Sequence, residues 1–187
     1  KFINVEELII NDFLFSNNVI YKAFFDSKKY NFRKLLDIQS ELNNLKSEDI
    51  KDNYFNINFG NKYFSNNDSK KIGQIRENLN SININKYEKN ILLASLLYSV
   101  DKISNTVGHY DAYIKNKKIS DRFLFNLIKP MNTKCKIQIY RKDANMIAEK
   151  INSDVAYIDP PYNSRQYSRF YHLLENKEET IFLISLI

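Results

Sequence analysis

The sequence predicts an α/β fold in which a parallel sheet, built from both ends of the chain, is interrupted by a mainly helical, polar insert. Three observations predict it. A short apolar run followed by helical spacing opens the chain, a strand, helix and strand pattern returns after residue 135, and helical periodicity dominates the roughly one hundred residues between. Residues 1–26 and 132–187 are accordingly assigned to the sheet-bearing core and 27–131 to the insert.

Taken in order, residues 6–12 (EELIIND) read as a short buried strand ending in two polar residues, and 13–25 have the apolar spacing of a helix. Residues 30–46 set Phe32, Leu35, Leu36, Ile38, Leu42 and Leu45 at helical spacing, whereas 47–65 lose regular periodicity and collect Asn, Tyr and Phe. Two further helices are predicted over 69–82 and 86–103, the second long and strongly apolar, with the turn at 104–108 stopping it. A short helix over 120–129 would end at Pro130. Residues 136–140 then alternate as a strand, 144–151 read as a helix, 154–158 (DVAYI) as a short apolar strand, and 164–176 as helical again.

Composition sets the class of partner. The 187 residues carry 28 Lys and Arg against 22 Asp and Glu, a net charge of +6 that favours an anionic partner. Lysine dominates the basic residues and asparagine is abundant, the usage expected of an adenine- and thymine-rich genome, so part of the charge is mutational drift. Within the insert, Lys28, Lys29, Arg33, Lys34, Lys62, Lys70, Lys71 and Arg76 stand among Asn and Tyr, residues able to meet phosphates and base edges. A single cysteine, Cys135, excludes an internal disulfide and a cysteine-based zinc site, and points to a reducing cytoplasm. Two histidines without cysteine partners make no zinc site either, so no metal is expected. No apolar run approaches the roughly 18 residues of a membrane span. The chain starts without Met or an apolar signal core, as a segment of a longer protein would.

The informative tetrapeptide is Asp159-Pro160-Pro161-Tyr162, directly after the predicted strand 154–158. Successive prolines fix the backbone and remove two amide donors, and ligands of open α/β sheets bind at the carboxyl ends of strands. A carboxylate, a locked turn and an aromatic ring together suit a planar base bearing an amino group. Asp159 and the carbonyl of Pro160 can accept both hydrogens of an exocyclic amine while Tyr162 stacks on the ring. The competing interpretation is an ordinary strand-terminating turn; the strand before it and Arg165 and Arg169 after it weigh against that.

On these residues the chain resembles the α-group adenine-specific DNA methyltransferases, relatives of DNA adenine methylase of the restriction-modification type. Residues 159–162 resemble the family's catalytic motif. Ile10-Asn11-Asp12 resembles the acidic strand end that holds the ribose of S-adenosylmethionine, and Asp143-Ala144-Asn145 the polar strand end beside the cofactor's adenine. The segments 105–113 (NTVGHYDAY) and 163–172 resemble stretches of a bacterial subfamily. The resemblance implies a Rossmann-like S-adenosylmethionine-dependent sheet and a target-recognition insert. The implied sites are catalytic Asp159, Pro160 and Tyr162 and cofactor-binding Asp12, Asp143 and Asp159. The nucleic-acid-binding candidates come from the residues themselves: Arg165 and Arg169, four apart on one helical face, suit phosphates, against ion pairing with Glu175 or Glu178, and His109 with Tyr110 in the loop after the long helix suits DNA, against local packing. The resemblance also implies double-stranded DNA as substrate and a cognate restriction endonuclease as partner.

One departure stands out. The family's glycine-rich loop of the F-x-G-x-G kind is absent, since the three glycines are Gly60, Gly73 and Gly108. The sequence therefore reads as a fragment truncated at both ends and inactive alone. Two alternatives stay open: methylation of amino groups on RNA or cytosine, and a non-catalytic DNA-binding fragment.

Overall fold

The computed structural model describes residues 5–26, 29–160 and 173–174. Strand β1 (Glu7–Asn11) leads into helix α1 (Phe15–Phe25). Helices α2 (Phe32–Asn43), α3 (Tyr54–Phe59), α4 (Asn66–Ser81) and α5 (Lys86–Ile103) follow, with a 3-10 turn at Ser47–Asp49. The chain then returns to strand β2 (Lys136–Tyr140) and the short helix α6 (Ala144–Ala148). β1 and β2 pair in parallel, Glu7 against Lys136 through Asn11 against Tyr140, so all four long helices lie within one crossover connection.

The core lies in the helical part. Helix α5, whose apolar run over residues 91–100 reads as a buried helix, is enclosed on nearly all sides, with Ile91, Leu92, Ala94, Leu96 and Val100 at most 1% exposed. It packs against α1 and α4, and Val19 and Ala23 of α1 share one hydrophobic cluster with residues of α2, α3, α4 and α5. Burial of side chains this size stabilises by about 1.5–3 kcal/mol each. The hydrophobic core thus runs continuously across the sequence boundary at residues 26 and 27. Among the described residues no helix is long and apolar enough to cross a membrane.

Helix starts are set by asparagine and serine. Asn31, Asn53, Ser65 and Asn85 each accept a hydrogen bond from a first-turn amide, and Asn53 and Asn85 complete capping boxes. Two phenylalanines and a capping box are what make α3 a helix in a stretch without apolar periodicity. Phe55 is buried and Phe59 packs against it at 5.0 Å between ring centroids.

Three expectations are corrected. Residues 120–129 form no helix. The amide of Arg122 donates to Asp68, those of Asn126 and Ile128 donate to the hydroxyls of Ser99 and Ser95, and Phe125 bonds Asn43 through its amide and Gln39 and Asn43 through its carbonyl. Side chains of α2, α4 and α5 take the groups a helix would have paired internally, and the strap buries Phe125 completely. The helix expected over 144–151 stops at Ala148. Residues 154–158 form no strand: Val155, Tyr157 and Ile158 are at least 80% exposed, because β1 and β2 pair only with each other among the described residues. Of the helix expected over 164–176 only Leu173 and Leu174 are described, and both are buried in the core.

Glu88, 3% exposed, ties α2 to α5. Its carboxylate accepts hydrogen bonds from the amides of Asn31 and Asn85 and from the ammonium of Lys34. Burial acts to raise its pKa, but the two amides and Lys34 outweigh it and hold the carboxyl below the usual carboxylate range. Such a group stabilises the fold above its unfolded pKa, about 4.3, and loses that contribution as pH falls through the folded value. Glu88→Gln should therefore give a shallower loss of unfolding free energy than the parent chain between about pH 5 and 3, measured by urea titration. A second outcome concerns Gly73 in α4, where an added Cβ would lie 2.2 Å from Oδ1 of the capping Asn53. Gly73→Ala, worth about 1 kcal/mol of stabilisation in an open helix, should destabilise by about 1–3 kcal/mol through overpacking, read as a lower thermal midpoint.

Candidate active site

The carboxyl end of the parallel pair is knitted together by side chains that extend the ladder. Asn11 acts as an added rung: its Nδ2 donates to the carbonyl of Lys142 and its Oδ1 accepts from the amide of the same residue, both at 3.0 Å. The amide of Asp12 donates to the carbonyl of Tyr140, and Nδ2 of the buried Asn18 in α1 donates to that carbonyl at 3.3 Å. The guanidinium of Arg141 lies 5.0 Å from the ring centroid of Phe15. β1, β2 and the start of α1 therefore form one joined edge.

Asp12 and Asp143 stand on that edge, as the strand-end reading anticipated. Asp12, half-buried, accepts from the amide of Leu14 and from Nδ2 of Asn17, both at 2.8 Å, which fixes the turn into α1. Burial, with the Asp12 charge next, pushes the Tyr21 phenol above its ordinary pKa, so a tyrosine flanks the same carboxylate. Asp143, exposed, caps α6 by accepting from the amide of Asn145 at 2.8 Å. Two carboxylates thus follow adjacent parallel strands, each oriented by local amides. Each also serves a turn.

Asp159 and Pro160 lie on exposed chain without regular secondary structure, and no strand joins them to the sheet among the described residues. Tyr162, Arg165 and Arg169 fall outside the described residues. His109 is half-buried in the loop after α5, where its Nδ1 accepts from the amide of Asp111. Tyr110, expected among the nucleic-acid contacts, is instead a core residue at 2% exposure. Its hydroxyl donates to Asp101 at 2.9 Å and its carbonyl accepts from the Tyr63 hydroxyl at 2.8 Å, and burial together with the Asp101 charge raises its pKa. An aromatic in this polar loop reads as a surface residue because the sequence does not show its partner, Asp101, on the last turn of α5.

The insert cations are also redistributed. Lys34 pairs with Glu88, Lys70 pairs with Asp52, and Arg76 is 3% exposed, so these three serve the fold. Sequence reasoning placed Asn11 at the strand end without giving it a role, and passed over Asn18; these are the two amides that lock the sheet edge. An asparagine that falls on the buried side of an amphipathic helix is the signal that could have found Asn18.

For a nucleoside ligand the donor set at this edge fits in part. Asp12 and Asp143 supply acceptors suited to ribose hydroxyls, since each carboxylate oxygen that accepts one hydrogen bond retains further capacity. The three glycines belong to the end of α3, to α4 and to the loop after α5, and none follows β1 or β2. The described residues at this edge thus offer carboxylate acceptors and no glycine cradle. No three His, Cys, Asp or Glu side chains converge on a common point among the described residues.

Comparison with known proteins gives the family. The chain is 34% identical over 183 residues to the modification methylase StsI of Streptococcus sanguinis, covering 89% of this chain and 28% of that protein. It is 32% identical over 187 residues to the type II methyltransferase M.FokI of Planomicrobium okeanokoites, covering 90% of this chain and 29% of that protein. With M.NlaIII of Neisseria lactamica it shares 38% identity over 127 residues, 62% of this chain and 36% of the relative. The chain thus spans about a third or less of the length of these relatives. No solved structure matches it significantly. The family model for D12 class N6 adenine-specific DNA methyltransferases matches residues 1–185, and with the acidic ends of two paired parallel strands already in view, the chain belongs to that family.

Proposed function

We propose that the protein carrying this chain transfers a methyl group from S-adenosylmethionine to the exocyclic N6 amine of adenine in double-stranded DNA. The observation that carries this reading is the family match over residues 1–185, in a chain whose Asp12 and Asp143 follow adjacent parallel strands. When bound, the cofactor supplies an electrophilic methyl group. The chain's own residues supply grip and alignment. The carboxylates of Asp12 and Asp143 would hold the ribose and adenine sides of the cofactor. The Asp159 carboxylate and the Pro160 carbonyl would accept hydrogen bonds from the two amine hydrogens of the target base, leaving the nitrogen lone pair free to attack, and the amine gives up one of those protons after the N–C bond forms. Tyr162 stacks on the base and offsets the few kcal/mol spent in extruding it from the duplex.

Beyond the turn, Arg165 and Arg169, four residues apart, suit the phosphates around an extruded nucleotide. The helical stretch within residues 27–131 serves target recognition. Acting on the cell's own DNA, the enzyme works in the cytoplasm, with a cognate restriction endonuclease of the same specificity as its counterpart. The relatives' printed names, a modification methylase and two type II methyltransferases, support that setting.

Two outcomes follow. Methyl transfer to duplex DNA, followed with methyl-labelled cofactor and identification of N6-methyladenine in the digested product, should fall at least about a hundredfold in Asp159→Ala. Equal incorporation by both proteins, or preference for structured RNA over duplex DNA, contradicts the assignment. Asp12→Ala should lower unfolding stability by about 1 kcal/mol, through the lost turn at the start of α1. It should also weaken S-adenosylmethionine binding about ten- to a hundredfold in calorimetric titration. Loss of stability with unchanged affinity would leave Asp12 a purely structural residue.

A further inference from the structure

Asp12 is held more firmly than its turn requires. The bond from the amide of Leu14 to Oδ1, 2.8 Å long, is enough to close the turn from β1 into α1, just as Asp143 caps α6 through one amide bond. Asp12 carries a second bond on its other oxygen, from Nδ2 of the half-buried Asn17 at 2.8 Å. Tyr21, one turn further along α1, faces the same carboxylate. A carboxylate bonded through one oxygen still turns about its Cβ–Cγ bond, where the torsional wells are broad. A bond on each oxygen fixes its plane. The lone pairs left over then point in set directions, which is what two neighbouring hydroxyl donors on a ribose require.

The helix that carries Asn17 is itself tied to the other strand. Asn18, 3% exposed, donates through Nδ2 to the carbonyl of Tyr140, the last residue of β2. Adjacent positions of α1 thus face two ways: Asn17 reaches back to the acid after β1, and Asn18 reaches across to the end of β2. Neither caps the helix, whose N-cap is Leu14. Asparagine is also a poorer helix former than alanine, by up to about 0.7 kcal/mol. Helix formation alone therefore does not account for the pair.

We propose that Asn17 is a positioning residue of the cofactor site, setting the plane of the Asp12 carboxylate for the paired hydroxyls of the ribose. Asn17 acts through Asp12 and touches no ligand itself, and Asn18 keeps its helix at a fixed spacing from β2. This rests on the reading that Asp12 meets the ribose of S-adenosylmethionine. It goes further in naming the residue that orients that carboxylate.

The test is calorimetric titration of the protein carrying this chain with S-adenosylhomocysteine, the demethylated cofactor, and with its analogue lacking both ribose hydroxyls. The parent should bind the analogue about ten- to a hundredfold more weakly, since hydrogen bonds to a charged group are lost. In Asn17→Ala, and in Asn17→Leu, which keeps the bulk without the amide, that ratio should shrink to about threefold or less, with affinity for the analogue unchanged within about twofold. Asn17→Ala should melt within about 4 °C of the parent, because the better helix former offsets part of the lost bond. If both variants keep the parent's ratio, Asn17 serves only the turn, and the assignment is overturned while the ribose reading of Asp12 stands. If Asn43→Ala, which removes bonds between α2 and the strap, lowers the ratio as much, the effect is general loosening and the assignment is likewise overturned. If the parent itself binds both ligands equally, Asp12 does not meet the ribose, and that reading and the positioning role fail together.

Discussion

The pairing of β1 with β2, completed by Asn11, is the constraint on which the arrangement of the candidate site depends. Two strands far apart in sequence become neighbours, and the side chain of Asn11 carries the ladder one rung past Tyr140 by bonding both backbone groups of Lys142. Parallel register means that both strands end at the same edge. Any acid just past either strand is therefore brought to that edge, as happens to Asp12 and Asp143. The strands are only half-buried, so the polar bonds to Asn11 and Asn18 carry a larger share of the fixing than in a sheet covered on both faces.

The helical crossover does more than join the strands. α5 forms the centre of a core that also takes in Val19 and Ala23 of α1, the helix that leaves the sheet edge through Asp12. Displacement of α5 would thus be felt at Asp12 through α1. The strap over residues 120–130 closes the circuit. It is held by Ser95 and Ser99 of α5, and the amide of Met131 donates to the carbonyl of Phe24 before the chain enters β2. Serines that interrupt an apolar run turn out to be the bonding points of the returning chain. Their hydroxyls accept hydrogen bonds from the partly buried amides of Asn126 and Ile128.

Apolar runs and periodicity made the strands at 7–11 and 136–140 and the long helices legible in the sequence, α5 by the length of its apolar run and the others by spacing. The carboxylates at residues 12 and 143 were legible for a related reason, since an acid directly after an apolar run marks a strand end. What escaped depended on partners distant in sequence. The strap looked helical because the side chains of Asn43, Asp68, Ser95 and Ser99 that take over its backbone bonds belong to three other elements. Residues 154–158 have strand composition, but composition supplies no neighbour to pair with. Tyr110 reads in the sequence as a nucleic-acid contact and Asn105 as part of the turn that stops the long helix, whereas their bonds to Asp101, Lys62 and Ile114 make them anchors of the loop.

The central claim is that the shared end of the parallel pair is the cofactor end of a DNA methyltransferase. Chemical-shift mapping with S-adenosylmethionine on the nitrogen-labelled protein tests it most directly. The account predicts that the amides of Asp12, Leu14, Asp143 and Asn145 shift together and saturably, while those on the strap and on α4 stay in place. Shifts gathered on the helical face, with residues 12–14 and 143–145 unmoved, would contradict it.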